Sequence, residues 1–209
     1  MRLISLLFMG LILIGCNGSS SSAAGSGTDQ PGPPVEVKRS TFSMTLPGTW
    51  REVNFGSASD LSKLREVWKN DPNGSSMLDQ LEAAYKQGAL QLYALEDASS
   101  SAEFKANVNA IWLKADKPQK IQDIETGNLN EMRPMMEADP KVTWFKANGS
   151  DAYCMRGDYK APNGAEVHIS SVVVTKGNAN LTVTFACPKA KAASEDVEVD
   201  KIIPTILMN

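Results

Sequence analysis

The chain has 209 residues, of which 42% are hydrophobic and 22% are charged. These values are ordinary for a water-soluble globular protein and exclude collagen-like chains and multi-span membrane proteins. Lys and Arg number 21 against 24 Asp and Glu, which gives a formal net charge of -3. Because a nucleic-acid binder needs a surplus of basic side chains on one face, this balance argues against a nucleic-acid partner.

The amino terminus carries a short apolar run that ends at a cysteine. The run extends from Leu3 to Ile14 and is followed by Gly15 and Cys16. It is shorter than the roughly 20 residues that a membrane-spanning helix needs, and it fits the apolar core of a secretory signal. The sequence Leu13-Ile14-Gly15-Cys16 resembles the lipobox of bacterial lipoprotein signal peptides, in which the cysteine is acylated and becomes the new amino terminus.

This resemblance implies how the mature protein is held. Residues 1–15 would be a signal peptide that is removed, and Cys16 would carry palmitate-like acyl chains that tether the protein to a membrane without spanning it. Asn17 stands where lipoproteins commonly use Asp as an inner-membrane retention signal. The resemblance therefore favours the periplasmic face of the outer membrane in a Gram-negative cell. The alternative is an ordinary signal peptide that is cut elsewhere.

Residues 17–34 are rich in Ser, Gly and Pro and contain a single charged residue, Asp29, so they cannot build a hydrophobic core. Together with Cys16 they form a predicted flexible tether, residues 16–34. Residues 35–209 contain neither a second linker nor an internal repeat, and their number suits one domain. We therefore predict a single globular domain over residues 35–209.

The first half of this domain mixes strand and helix patterns. Period-2 alternation predicts strands over residues 41–46 and 50–55, with a turn at Pro47-Gly48 between them. Apolar residues at helical spacing then predict two helices. The first apolar stripe is Leu61, Leu64, Val67 and Trp68, and the second is Met77, Leu78, Leu81, Ala84 and Tyr85. Strands around residues 90–94 and 104–112 should pair in one sheet, and in the second strand Asn107 and Asn109 alternate with the apolar residues.

The second half is predominantly extended. Pro118 fits the first turn of a helix that should end before Pro134. Extended segments at 142–147, 152–160, 165–175 and 181–187 are separated by turn sequences, which predicts an antiparallel meander. Ser194-Glu195-Asp196 is predicted to cap a closing helix that Pro204 kinks or shortens. The core-facing residues of this helix are predicted to be Val197, Ile202, Ile203 and Ile206.

Helices and strands that do not alternate strictly predict an α+β fold. The opening sequence Phe42-Ser43-Met44-Thr45-Leu46-Pro47-Gly48-Thr49-Trp50, with the elements that follow it, resembles the PsbP-like and DcrB-like families. The resemblance implies an antiparallel sheet flanked by helices, an α/β/α sandwich. It also implies a non-enzymatic accessory or binding module without shared catalytic residues, in which Trp50 is a packing residue.

His168 is the only histidine in the chain. It lies in a predicted strand, where its neighbours Val167 and Ile169 point to the other face. The turn positions place Cys187 opposite Ser170 and diagonal to His168, so a thiol–imidazole pair is one possible catalytic arrangement. The alternative is a surface histidine on a strand beside a buried or disulfide-bonded cysteine.

Once Cys16 is acylated, Cys154 and Cys187 remain as an even pair in an oxidising compartment and form a possible disulfide. The predicted turns place Cys154 near Ser171 and Cys187 near Ser170, on strands either side of the middle one. Two strand spacings separate their backbones by about 9.6 Å, beyond the bridging limit of about 7 Å. A different register or strand order would remove this objection.

Metal and cofactor sites are not predicted. Met132, Met135 and Met136, with Met155 elsewhere, could offer thioethers to Cu(I), but Pro134 interrupts a common helix face and local packing is the alternative. Cysteine and histidine do not occur at zinc-binding spacing, and the sequence lacks a Gly-rich phosphate loop. The tripeptide Arg156-Gly157-Asp158 matches a cell-adhesion motif but falls inside a predicted strand, where chance explains it.

The sequence leaves three hypotheses for function. The first is a membrane-anchored extracytoplasmic lipoprotein that binds an envelope protein partner and is not an enzyme. The second is a small-ligand or metal carrier with a pocket between sheet and helices, for which Trp112, Trp144 and Tyr153 are candidate lining residues. Core packing is the alternative role of these three rings. The third is an envelope thiol enzyme that uses His168 and Cys187.

Overall fold

The computed structural model describes residues 32–69, 74–96, 105–161 and 164–209. The predicted signal peptide, the lipidation site Cys16 and most of the tether lie outside these residues, as do Phe104 and the turn at Pro162-Asn163. Among the helices of the described residues, none is long and apolar enough to cross a membrane.

The described part of the chain folds into ten strands, four α-helices and three single 3-10 turns. The first half contains β1 (Val35–Lys38), β2 (Phe42–Leu46), β3 (Trp50–Glu52), α1 (Ala58–Trp68), α2 (Gly74–Lys86), β4 (Leu90–Glu96) and β5 (Asn107–Lys114). The second half contains α3 (Ile121–Met132), β6 (Lys141–Ala147), β7 (Ser150–Lys160), β8 (Glu166–Lys176), β9 (Ala179–Pro188), α4 (Ala192–Ile202) and β10 (Leu207–Met208). The 3-10 turns are Arg133–Met135, Lys189–Lys191 and Ile203–Thr205.

The strands form two antiparallel sheets. The larger sheet has seven strands in the order β3-β4-β5-β9-β8-β7-β6, and the smaller has three in the order β1-β2-β10. The predicted meander is confirmed, because β6, β7, β8 and β9 are consecutive neighbours. The pairing of β4 with β5 is also confirmed. Sequence patterns did not predict β1 or β10, since each is too short to display a period.

The seven-stranded sheet separates two apolar cores. On one face, which we call the helical face, the side chains of β7 and β8 pack with those of α1, α2 and α3; Tyr153, Met155 and Ile169 belong to this core. On the other face, which we call the α4 face, Val172, Val183 and Phe185 pack with α4 and the small sheet. The predicted α/β/α sandwich is therefore confirmed, and the small sheet adds to one of its outer layers.

Trp50 fulfils its predicted packing role in the core of the α4 face. Its ring is 5% exposed and meets Phe185 edge-on at a centroid distance of 6.3 Å. The indole Nε1 donates to Glu198 Oε1 at 3.2 Å, so the polar end of the ring reaches the surface of α4. An aromatic ring with its single donor satisfied is a common anchor between layers.

Two predictions about exposure are wrong. Asn107 and Asn109 were expected on the polar side of a half-buried strand, but both are buried because β5 lies inside the sheet with layers on both faces. In α4, the buried positions are Glu195, Val199 and Ile202, whereas Val197 is 55% exposed. These buried positions follow the three- and four-residue spacing of one helix face, which Val197 does not share.

The start of α4 also differs from its prediction. Pro188 ends β9, the 3-10 turn follows, and the helix begins at Ala192. Ser194 therefore lies within the first turn, where its Oγ donates to Lys191 O at 2.8 Å instead of capping an amide. The prediction for Pro204 is confirmed, since the helix ends at Ile202 and Pro204 lies in the next 3-10 turn.

Candidate functional site

The sheet gathers the chemically active side chains of the α4 face at one end of β7, β8 and β9. Asp158, His168 and Cys187 are directly paired across these strands and form one row. Directly paired residues of neighbouring strands point to the same face. Arg156 and Ser170 form the next row toward the middle of the sheet. The helix α4 crosses above both rows and adds carboxylates to them.

Hydrogen bonds join these side chains into what we call the His168 network: Arg156, Asp158, His168, Ser170, Asp196 and Asp200. The imidazole Nδ1 lies 2.6 Å from Asp158 Oδ1, and Nε2 lies 3.2 Å from Asp196 Oδ1. Asp196 Oδ1 also accepts from Ser170 Oγ at 2.9 Å and pairs with Arg156 Nε at 2.8 Å. Arg156 Nη2 pairs with Asp200 Oδ1 at 2.5 Å. The network therefore ties α4 to β7 and β8.

The His168 network lacks the geometry of a nucleophile–base pair. A catalytic serine or cysteine must give its proton to the imidazole, with a third group orienting the ring. Here Ser170 Oγ donates to Asp196 instead, and both ring nitrogens of His168 face carboxylate oxygens. The expectation of a surface histidine is wrong as well, because His168 is only 6% exposed beneath α4. This arrangement suits fixing a helix to a sheet.

Cys187 is directly opposite His168, two residues away from the predicted register, because the β8–β9 turn falls at Gly177-Asn178. Its thiol is fully buried, and burial raises its pKa, with the charges of Glu195 and Asp196 adding to the increase. Burial likewise raises the pKa of Cys154 to about 11. A thiol attacks only as its thiolate, so neither environment favours a nucleophile.

Cys154 and Cys187 are both free thiols in this structure. Cys154 pairs with Val172, and Val172 pairs with Val183, so Cys154 lies four residues along the sheet from Cys187 as well as two strands across. At about 3.3 Å per residue and 4.8 Å per strand, their backbones are roughly 16 Å apart. The possible disulfide is therefore incompatible with this register, because bridged residues approach within about 7 Å.

A groove opens beside the Arg156–Asp200 pair. It has a volume of about 470 Å³ and lies between β6 and the carboxyl end of α4. Its apolar lining comes from Phe145, Ala147, Cys154, Ile203 and Pro204, and its polar lining from Thr143, Lys146, Asn148, Arg156 and Asp200. Asn148 Nδ2 donates to Ile206 O at 2.9 Å and holds the β6–β7 turn against the carboxyl-terminal segment. The groove is thus bordered on one side by a strand and on the other by a helix end.

The strand that borders this groove is an edge strand. β6 is the last strand of the large sheet, and among the described residues it pairs with β7 alone. The β6–β7 turn has positive φ at Asn148 (50°) and Gly149 (84°), which is the backbone of a two-residue type I′ hairpin. In such a hairpin the closing pair Ala147 and Ser150 is hydrogen-bonded, and the bonding alternates from there.

The alternation defines which backbone groups of β6 are open. Val142, Trp144 and Lys146 fall at the positions that do not bond to β7, so their N–H and C=O groups point outward from the sheet. An exposed row of this kind is a template for pairing with another extended chain. Lys146 forms an ion pair with Asp151 at 2.5 Å, which leaves a charged side chain on the edge.

The three aromatic residues predicted to line a ligand pocket do not lie together. Trp144 is 44% exposed and contacts the buried Tyr153 at a ring-centroid distance of 5.4 Å on the helical face. Tyr153 Oη accepts from Asn128 Nδ2 at 2.6 Å. Trp112 packs against the core of the other face. The sheet separates it from the first two rings.

The methionines cluster more closely than their sequence positions suggest. Met132 and Met155 are fully buried in the core of the helical face, and Met135 and Met136 pack against the same core. They fill space at the end of α3, which is a usual role of the flexible thioether. Groups of three or more His, Cys, Asp or Glu placed to hold a metal are lacking within the described ranges.

Sequence reasoning missed a row of polar side chains beneath the helices. Tyr93, Asn109, Thr184 and Ser171 pair across β4, β5, β9 and β8 on the helical face. Ser171 Oγ and Thr184 Oγ1 are 3.1 Å apart. Asn109 Nδ2 and the neighbouring Asn107 Oδ1, by contrast, are buried without a hydrogen-bond partner among the described residues. The only available signal was the occurrence of both asparagines in a strand, where asparagine is uncommon.

Sequence reasoning also missed Glu195. Its carboxyl is buried in the first turn of α4, and its Oε1 atom has no hydrogen-bond partner in the part of the chain that the structure describes. Burial is the main cause that raises its pKa from 4.5 to about 7, and the charges of Glu198 and Glu96 add to the effect. The sequence prediction placed Val197 on the buried side of the helix, so it did not identify Glu195 as a buried residue.

The sequence matches no family model, and no curated protein matches it either. Among solved structures, the chain is similar to LpqN, a protein involved in cell envelope biogenesis of Mycobacterium tuberculosis, with a TM-score of 0.54 and 12% identity over 86% of this chain and 91% of that one. It is also similar to the cyanobacterial PsbP (CyanoP) of Synechocystis, with a TM-score of 0.52 and 11% identity over 90% of this chain and 98% of that one. These similarities show that the domain has a PsbP-like fold.

Proposed function

We propose that the protein is a lipid-anchored, extracytoplasmic lipoprotein that acts without catalysis as a binding module of the cell envelope. The observation that carries this proposal is the edge strand β6 with the groove beside it. The backbone N–H and C=O groups of Val142, Trp144 and Lys146 point away from β7 and offer donors and acceptors to a partner chain. The groove offers an apolar lining to every second side chain of that partner chain. An extended segment of a partner protein satisfies both features by adding a strand to the sheet.

The lipobox supports the location that we propose. A cysteine at the end of an apolar run, followed at once by a polar tether, provides an anchor of several acyl chains with a flexible spacer. The structurally similar LpqN is described as involved in cell envelope biogenesis, which agrees with a place in the envelope. The tether would leave the domain free to meet partners near the membrane surface.

The His168 network supports the non-catalytic part of the proposal. Each nitrogen of its only imidazole faces a carboxylate, and Ser170 donates to Asp196. The two thiols are buried in surroundings that raise their pKa. A thiol enzyme would need the opposite environment, with a lowered pKa and access for a substrate.

The proposed function is tested by crosslinking in intact cells, followed by capture and identification of the partner by mass spectrometry. A Cys16→Ser form is the untethered control, and we expect the partner to be lost with it. At the edge strand, Lys146→Pro removes one outward N–H, whereas Lys146→Ala removes the charge and keeps that N–H. We expect the proline variant to lose the partner and the alanine variant to retain it.

Two results would contradict this proposal. A partner captured equally well by the Lys146→Pro form would exclude strand addition at β6. Recovery of the protein alone from the membrane, with all forms folded, would argue against a protein partner altogether.

A small-ligand carrier is the second candidate function. It is favoured by Asn107 Oδ1 and Asn109 Nδ2, which are buried without a hydrogen-bond partner among the described residues. Buried polar atoms of this kind are normally bonded to protein, water or a ligand. Native mass spectrometry of the purified protein, compared with the Asn109→Leu variant, tests this candidate. A bound species present in the native protein and absent from the variant would support the carrier, and the bare mass in both would exclude it.

A further inference from the structure

A second cavity lies beside β3, the edge strand of the large sheet that is opposite β6. Its volume is about 390 Å³, within the range of small-molecule sites. It is lined by Arg39, Glu52, Val53, Asn54, Phe55, Tyr85 and Gln91. The lining combines an aromatic wall with planar polar side chains, and nothing in the function proposed above uses it.

The aromatic wall is a stacked pair of rings. Tyr85, at the end of α2, stacks on Phe55 with a centroid distance of 5.6 Å and an interplanar angle of 29°. Phe55 is 7% exposed and packs edge-on against Tyr93 in the core. Tyr85 is 44% exposed although it belongs to the apolar stripe of its helix. One face of its ring is therefore covered by Phe55, and the half-exposed ring borders the cavity.

Hydrogen bonds fix the polar side chains around this ring. Arg39 Nε donates to Gln91 O at 2.8 Å, and the Arg39 guanidinium pairs with Glu52 Oε1. Asn54 Oδ1 accepts from Gly56 N at 2.8 Å, which orients the amide. Gln91 is held by its Nε2, which donates to Gly88 O at 2.5 Å. Side chains held in this way bind a ligand without a further loss of conformational freedom.

The remaining hydrogen-bonding groups define the ligand. Asn54 Nδ2 is a donor, the second carboxylate oxygen of Glu52 is an acceptor, and the Tyr85 hydroxyl can be either. Because Glu52 already neutralises Arg39, the site does not favour an anion. A polyhydroxylated ring presents C–H groups on its faces and hydroxyls at its rim, and each hydroxyl both donates and accepts. Its apolar face can lie on Tyr85 while its rim bonds to the planar groups.

We infer that the cavity between β3 and the end of α2 is a binding site for a neutral saccharide. The pyranose ring stacks on Tyr85, and Asn54 and Glu52 bond to its hydroxyls. A neutral glycan is chemically distinct from the extended peptide that we propose as the partner of β6. The two sites also lie at opposite edges of the large sheet. Either proposal can therefore fail without the other.

The test uses the full-length Cys16→Ser chain in a titration followed by backbone amide NMR. The probes are maltose, cellobiose and N,N′-diacetylchitobiose, up to on the order of 10 mM, since single sugar sites are weak. We expect at least one probe to shift the amide signals of residues 52–56, 85 and 91. Glucuronate, which is anionic, should bind more weakly than the neutral probe.

Three variants of the site and one control variant elsewhere locate the binding position. Tyr85→Ala should weaken binding by about tenfold, as expected for the loss of an aromatic contact, and Tyr85→Phe should keep the stacking. Asn54→Asp keeps the oxygen that accepts from Gly56 and replaces the NH₂ donor by a charged acceptor, so it should also weaken binding of a neutral sugar hydroxyl. Trp144→Ala removes the half-exposed ring at the other end of the sheet and should leave binding unchanged.

Three results would overturn the inference. The first is the absence of signal shifts with all three neutral probes. The second is binding that survives both Tyr85→Ala and Asn54→Asp in folded protein. The third is a preference for glucuronate over every neutral probe, because it would identify an anion site.

Discussion

Replacing Glu195 by glutamine should stabilise the protein above neutral pH. The Glu195 carboxyl is 8% exposed, and its pKa is raised from 4.5 to about 7, chiefly by burial. A group that binds its proton more tightly in the folded state stabilises the fold while it is protonated. The folded state therefore loses free energy of unfolding as the pH rises from about 4.5 through 7.

The size of this effect follows from the shift. A difference of about 2.5 pKa units at 1.36 kcal/mol per unit amounts to about 3 kcal/mol at most between pH 4 and pH 8. Glutamine has a similar shape and no charge to bury. We expect Glu195→Gln to exceed the parent protein's free energy of unfolding by less than about 1 kcal/mol at pH 5 and by about 3 kcal/mol at pH 8.

The assay is urea unfolding of the Cys16→Ser chain, followed by tryptophan fluorescence, at half-unit steps from pH 5 to pH 8. The deciding quantity is the difference in free energy of unfolding between variant and parent at each pH. The contributions of all other titrating groups cancel in this difference. Asp79→Asn removes an exposed carboxylate of α2 and controls for the loss of one negative charge. Parallel curves for Glu195→Gln and the parent across the whole range would refute the reasoning.

Three further predictions concern the same face of the sheet. His168→Ala should lower the free energy of unfolding by about 1 to 3 kcal/mol in urea titrations, because it leaves the carboxylates of Asp158 and Asp196 without the ring nitrogens that face them; an unchanged midpoint would contradict a structural role for the network. Ellman's reagent at pH 7.5 should find no reactive thiol in the folded Cys16→Ser chain and two after unfolding without reductant, since Cys154 and Cys187 are buried and free; no thiol after unfolding would prove a disulfide. Val199→Ala should lower the free energy of unfolding by about 2 kcal/mol, because Val199 is buried. Val197→Ala, on the exposed side of the same helix, should change it by less than about 0.5 kcal/mol. Equal shifts of the melting temperature for the two variants would contradict the assignment of the buried side of α4.

The fold could be predicted from the sequence where a periodic pattern was long enough to identify both the element and its buried side. The meander β6 to β9 and the stripes of α1 and α2 are examples, and the opening segment before Trp50 identified the layered architecture. Short elements could not be predicted this way. β10 contains only Leu207 and Met208, and it is recognised as a strand by its pairing with β2.

The candidate sites were harder to predict, because they depend on distances between strands. Turn residues fixed the order of β7, β8 and β9, but shifting the β8–β9 turn moved Cys187 from Ser170 to His168. A shift of this kind changes which side chains meet while leaving every element in place. The positions of the α4 carboxylates and of the aromatic wall at Tyr85 depend on tertiary packing. Local sequence patterns therefore do not predict them.

The small sheet has a consequence for how far the domain can be shortened. β2 has β1 on one side and β10 on the other, so its two neighbours come from segments far apart in the sequence. Asn209 N also donates to Thr41 O at 3.0 Å and joins the segment that contains β10 to the residue before β2. A domain shortened before Leu207 would leave β2 with β1 as its remaining neighbour. Because Phe42 and Met44 of β2 are buried in the core of the α4 face, the short strand β10 protects that core although it contains two residues.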